Sequence, residues 1–107
     1  MIDWSPATLQ EVEVLLDRSY EALHPLHRKL FDRMRVRSRL VPVDAHPGET
    51  VVVVAEHEGK ILYYSDIEDG WELDDSSASG GVDDRGANQF ELGHIMWQLF
   101  GDPESAP

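Results

Sequence analysis

A chain of 107 residues with nine basic and 21 acidic side chains carries a formal charge of −12 with neutral histidines and has no cysteine. Disulfides, thiolate metal sites and cysteine nucleophiles are excluded, and the acidic field opposes nucleic-acid phosphates while attracting basic partners. One domain of common size is expected over 1–107.

The charge is uneven. Residues 1–39 hold seven basic and six acidic side chains, whereas 40–107 hold only Lys60 and Arg85 against 15 acids. No apolar run nears the ~20 residues of a membrane span, and Met1 to Pro6 lack a signal peptide's basic and apolar regions. The expectation is a soluble, cytoplasmic, bacterial protein.

Ser5 and Pro6 suit the N-cap and first position of a helix. Leu9, Val12, Leu16, Tyr20 and Leu23 then recur every three or four residues as one apolar stripe. Pro25 ends this helix, because it disfavours the helical conformation for His24, and opens a second over 25–34 with Leu26, Leu30, Phe31 and Met34 apolar. Arg35-Val36-Arg37-Ser38-Arg39-Leu40 alternates at period two, as an edge strand whose arginines oppose edge-to-edge pairing. Pro42 also fits an edge.

After a Pro-Gly turn over 44–49, strands are expected over 50–56 and 60–65. They flank His57-Glu58-Gly59-Lys60, whose glycine permits a hairpin turn. Four successive valines, 51–54, suggest a strand covered on both faces or central in the sheet. Residues 66–70 turn the chain, and Trp71-Glu72-Leu73 makes a short fourth strand. Residues 74–87 are loop by composition, expected to be flexible and long enough to carry function. A last helix is expected with Asn88 as cap and Glu91 at N3. Its residues Phe90, Leu92, Ile95, Met96, Trp97, Leu99 and Phe100 leave a narrow polar strip of Glu91, His94 and Gln98. A helix so apolar is buried in the core or shared with a second chain, and Gly93 allows close approach to either. Residues 102–107 are expected to be a disordered tail. The fold class is α+β: two N-terminal helices, an antiparallel meander of three or four strands, and a C-terminal helix packed on the sheet.

Candidate chemistry is sparse. His24 and His27 have H-x-x-H spacing, but Pro25 intervenes and no third ligand is evident, so two exposed histidines are expected. The acids lack the EF-hand pattern. No G-x-S-x-G, H-E-x-x-H or phosphate loop occurs. No catalytic residue, metal or cofactor is therefore assigned, and the chain is expected not to be an enzyme. Arg28, Lys29, Arg33, Arg35, Arg37 and Arg39 form a basic strip able to bind phosphates, to guard a sheet edge or to pair with the acidic half; net charge speaks against nucleic acid as a partner. The remaining reading is protein binding. Asp66, Glu68, Asp69, Trp71, Glu72, Asp74, Asp75, Asp83 and Asp84 combine carboxylates with an aromatic anchor, as interfaces do, although Trp71 fits plain core equally well. A non-enzymatic, immunity-type inhibitor that occludes the active surface of a basic, nuclease-like toxin is the expectation this favours. The alternative is a homodimeric structural or regulatory domain that uses Phe90, Gly93, Met96, Trp97 and Phe100 as its interface.

Overall fold

The computed structural model describes residues 8–65, 69–84, 86 and 90–104. Its elements run α1 (Leu9–Glu21), α2 (Pro25–Met34), β1 (Arg35–Pro42), β2 (Thr50–His57), β3 (Lys60–Ser65), β4 (Gly70–Asp75) and α3 (Leu92–Phe100). The strands form one antiparallel sheet in the order β1-β2-β3-β4. The class is α+β, with α1 and α2 before the meander and α3 after it, packed on the sheet.

Local chemistry sets the helix ends. Ser5 and Pro6 lie outside the described residues; Thr8 caps α1, its hydroxyl oxygen accepting from the Glu11 N–H at 3.1 Å. The helix stops at Glu21, short of His24, yet Leu23 still reaches the core. In α2 the inward positions are His27, Phe31 and Met34, whereas Leu26 is 42% exposed. Tyr20 ties the two helices: its hydroxyl donates to Asp32 at 2.9 Å and its ring leans on Phe31. That hydrogen bond raises the Tyr20 pKa. Glu91 stands as N-cap of α3, three residues later than expected, and its N–H donates to His94 Nδ1 at 3.4 Å. Asn88 lies outside the described residues.

β1 is an edge strand, paired only with β2 among the described residues. Two of its arginines are answered within the molecule. Arg35 lies 3.3 Å from Glu13 of α1, and Arg39 pairs with Glu56 of β2.

The sheet divides the core in two. On one face Val12, Leu16, Phe31, Leu92, Ile95 and Met96 of the helices cover Val52, Val54, Leu62 and Trp71. On the other, Val41, Val43, Val51, Val53, Ile61 and Tyr63 gather around Val82. Successive strand side chains point to opposite faces, so a run of valines is buried throughout only when both faces are covered. A register shift between Val53 and Ala55 then places Val54 and Ala55 together on the helix side.

The second cover comes from residues 76–84 and 86, within the stretch expected as a flexible loop over 74–87, whose first two residues instead close β4. Its described part is an anchored strap. Val82 is fully buried and bridges Val43 in parallel. The Val82 N–H donates to Pro42 O at 3.1 Å, and the Asp44 and Ala45 N–H groups donate to Val82 O and Asp83 O, both at 2.8 Å. The strap thus crosses the sheet from the end of β4 to the end of β1.

Candidate functional site

Alternation along β4 decides where its candidates fall. Trp71 pairs with Tyr64 and points to the helix side; Glu72 pairs with Tyr63 and points to the strap side. Trp71 is only 4% exposed, and its indole N–H donates to Ser19 Oγ at 3.1 Å. It is core, not the surface anchor expected. Glu72 is equally buried, beneath the strap. A Cβ on Gly86 would lie 2.3 Å from Glu72 Cδ, so a side chain at residue 86 would require the Glu72 carboxylate to shift.

The strap returns to β3 through the same glycine. Its N–H donates to the Tyr63 hydroxyl oxygen at 2.8 Å, and its carbonyl accepts from Ser65 Oγ at 2.7 Å. The Tyr63 hydroxyl in turn donates to Asp74. Burial, then the Asp74 hydrogen bond, push the Tyr63 pKa far above its ordinary value of 10. The phenol thus keeps its proton in the fold after the unfolded chain has lost it. Stability from this group is full below pH 10 and falls as pH rises above it, by at most about 1.4 kcal/mol per pH unit. Tyr63→Phe should flatten that alkaline slope in urea titrations above pH 10. At pH 7 it should cost about 1–3 kcal/mol, since the Gly86 N–H loses its acceptor. An unchanged slope would show that Tyr63 is not the titrating group.

Anchoring brings four of the expected partner-binding residues together. Asp74 and Asp75 at the end of β4, with Asp83 and Asp84 of the strap and Gly86, line one shallow pocket of about 330 Å³. Each has a local tie. Asp75 accepts from Lys60 Nζ at 2.8 Å, which raises the lysine pKa, and Asp84 lies 3.3 Å from His46 Nε2. The Asp83 backbone holds Ala45. Asp75, Asp83 and Asp84 remain exposed. The other candidates do not join them. Asp66 and Glu68 lie outside the described residues, and Asp69 sits by Gly70, at the opposite end of β4, about 17 Å away at ~3.3 Å per residue.

At that end α1, β4 and the entry to α3 enclose a cleft of about 720 Å³. Leu15, Leu23 and Leu92 form its apolar part; Tyr64, Trp71 and Phe90 bring aromatic rings; Arg18, Asp69 and Glu91 bring charge. The Tyr64 hydroxyl donates to Asp69 Oδ1 at 3.0 Å.

The apolar C-terminal residues divide. Phe90 precedes α3 and bridges Trp71, Met96 is buried, a Cβ on Gly93 would meet Leu23 only at 4.0 Å, an ordinary van der Waals distance, and Phe100 packs edge-on to His57 at 5.2 Å. Trp97 alone of these five is largely exposed, at 57%. His27 differs from expectation too: it is buried with Nε2 3.0 Å from Gly101 O, while His24 caps α2 by accepting from the Leu26 N–H. Among the described residues, no group of three or more His, Asp or Glu is arranged to hold a metal ion, and no helix is long and apolar enough to cross a membrane. Compared with protein-family models, curated proteins and solved structures, the chain matches none.

Proposed function

We propose that this chain is a non-enzymatic protein-binding protein that docks a basic partner on its strap: an immunity-type inhibitor of a nuclease-like toxin, acting in the bacterial cytoplasm. The convergence of Asp74, Asp75, Asp83 and Asp84 on one pocket carries the reading. Carboxylates on an anchored strap lose little freedom when a partner's lysines and arginines arrive, which favours affinity. An excess of 13 acidic charges over residues 40–107 steers such a partner from a distance. A surface built to hold phosphates presents cations, and four carboxylates compete for them directly. Occlusion needs no catalytic group on the inhibitor. The test is inhibition: one equivalent of this chain should abolish the activity of the basic protein that co-purifies with it. Full activity in the presence of excess chain would sink the inhibitor reading.

Trp97 supports a second reading, a homodimeric structural or regulatory domain with α3 at its interface. A large ring 57% exposed on a helix whose other apolar side chains are buried or half-buried is the type of residue that anchors interfaces. The dimer reading expects a concentration-dependent mass in sedimentation. Trp97→Asp should abolish that dependence and leave the monomer folded, because the side chain lies outside the core. A mass that stays monomeric at all concentrations would exclude this reading.

A further inference from the structure

We infer that the cleft between α1, β4 and the start of α3 is a binding site for an alkylammonium group with an apolar stem, the chemistry of a lysine side chain. The inference is independent of the toxin-inhibitor reading, which rests on the opposite end of β4. The cleft's volume, about 720 Å³, lies within the range of small-ligand sites. Its walls match the two halves of such a ligand. Leu15 is partly exposed and offers apolar surface to a stem, backed by the buried Leu23 and Leu92. Tyr64 and Phe90 are only partly buried and bring aromatic rings, which attract a cation at their faces, whereas the Trp71 ring beside them is buried. Tyr64 and Trp71 are already fixed relative to one another, edge to face at 5.4 Å. Asp69 is held by the Tyr64 hydroxyl, so a carboxylate stands beside the aromatic group without further ordering.

Charge selects the sign of the ligand. Among the described lining residues, two carboxylates, Asp69 and Glu91, stand against one guanidinium, that of Arg18. Arg18 is exposed in the last turn of α1, where its flexible stem lets the charged head move into water. The chain as a whole is at −12, which raises the local concentration of cations and lowers that of anions. Among the described lining residues, Arg18 alone would answer a carboxylate ligand.

The experiment titrates the full chain with pentylammonium, hexanoate and pentanol, which share the stem and differ in charge. The readout is the Trp71 indole N–H signal in 1H–15N spectra. Pentylammonium should shift that signal saturably and bind at least about fivefold tighter than either other probe. Two variants test the sign. Asp69→Asn keeps the acceptor for the Tyr64 hydroxyl, and Asn tolerates the positive φ of +53° at this position; it should weaken pentylammonium about threefold or more. Arg18→Gln should tighten pentylammonium by about twofold, as removal of a like charge from the rim requires. Tighter binding of hexanoate, or weaker ammonium binding in Arg18→Gln, would overturn the assignment. So would the absence of any saturable shift with pentylammonium.

Discussion

Gly81→Ala is expected to lift the strap off the sheet and lower stability by about 3–5 kcal/mol. A Cβ at position 81 would lie 2.0 Å from Pro42 O, the carbonyl that accepts the Val82 N–H. A backbone oxygen in a strand cannot swing aside, so the strap must move. Its movement uncovers Val82, whose burial contributes about 1.5–3 kcal/mol. It also breaks the hydrogen bonds from Val82, Asp44 and Ala45, each contributing about 0.5–1.5 kcal/mol net. The melting temperature should fall by at least about 12 °C, at roughly 4 °C per kcal/mol for a domain of this size. Gly80 supplies the control. It has φ +85° and nothing within 4 Å of a Cβ, so Gly80→Ala meets backbone strain alone, about 1–2 kcal/mol. Circular dichroism melts of the two variants decide the matter. If Gly81→Ala melts with the wild type, the strap is not seated on Pro42.

The second large effect concerns binding. Replacing Asp74, Asp75, Asp83 and Asp84 together by asparagine removes four of the chain's 21 acidic side-chain charges. Shape is kept, and an amide carbonyl at position 74 still accepts from the Tyr63 hydroxyl, so the fold should survive. Affinity for the basic partner should drop about 30-fold or more, at roughly 0.7 kcal/mol for each of the three exposed charge pairs. The association rate should fall with it, and its dependence on ionic strength should flatten, since steering by these charges is what salt screens. Calorimetry gives the affinity and stopped-flow mixing the salt dependence. A loss confined to the dissociation rate, with the salt dependence intact, would place the contact elsewhere.

Most of the helix and strand layout is legible in the sequence because it rests on periods. The stripe of Val12 and Leu16, the alternation in β1 and the Gly59 hairpin each carry a local signal. The strap does not, because its signal is one residue. Val82 is the single branched apolar side chain between Asp74 and Gln89, and composition dilutes it among aspartates, serines and glycines. Only the need to cover both faces of Val51–54 points to it, since the three helices all pack on one side. The acidic candidates are readable as types but not as a surface. Alternation through β4 takes Trp71 into the helix core and Glu72 beneath the strap, and it leaves Asp74 at the rim. Once Tyr63 and Ile61 are assigned to the face opposite the helices, the burial of Glu72 follows from pairing. The cleft is illegible for another reason. It joins residues of α1, β4 and α3 from both ends of the chain, and no spacing encodes that.

The most direct test of the acidic strap as a docking surface is a side-by-side purification from the native host with the wild-type chain and the four-asparagine variant as baits. One basic protein at equal stoichiometry is expected on the wild type, lost from the variant at physiological salt. A partner retained equally by both baits, or an acidic one, would contradict it.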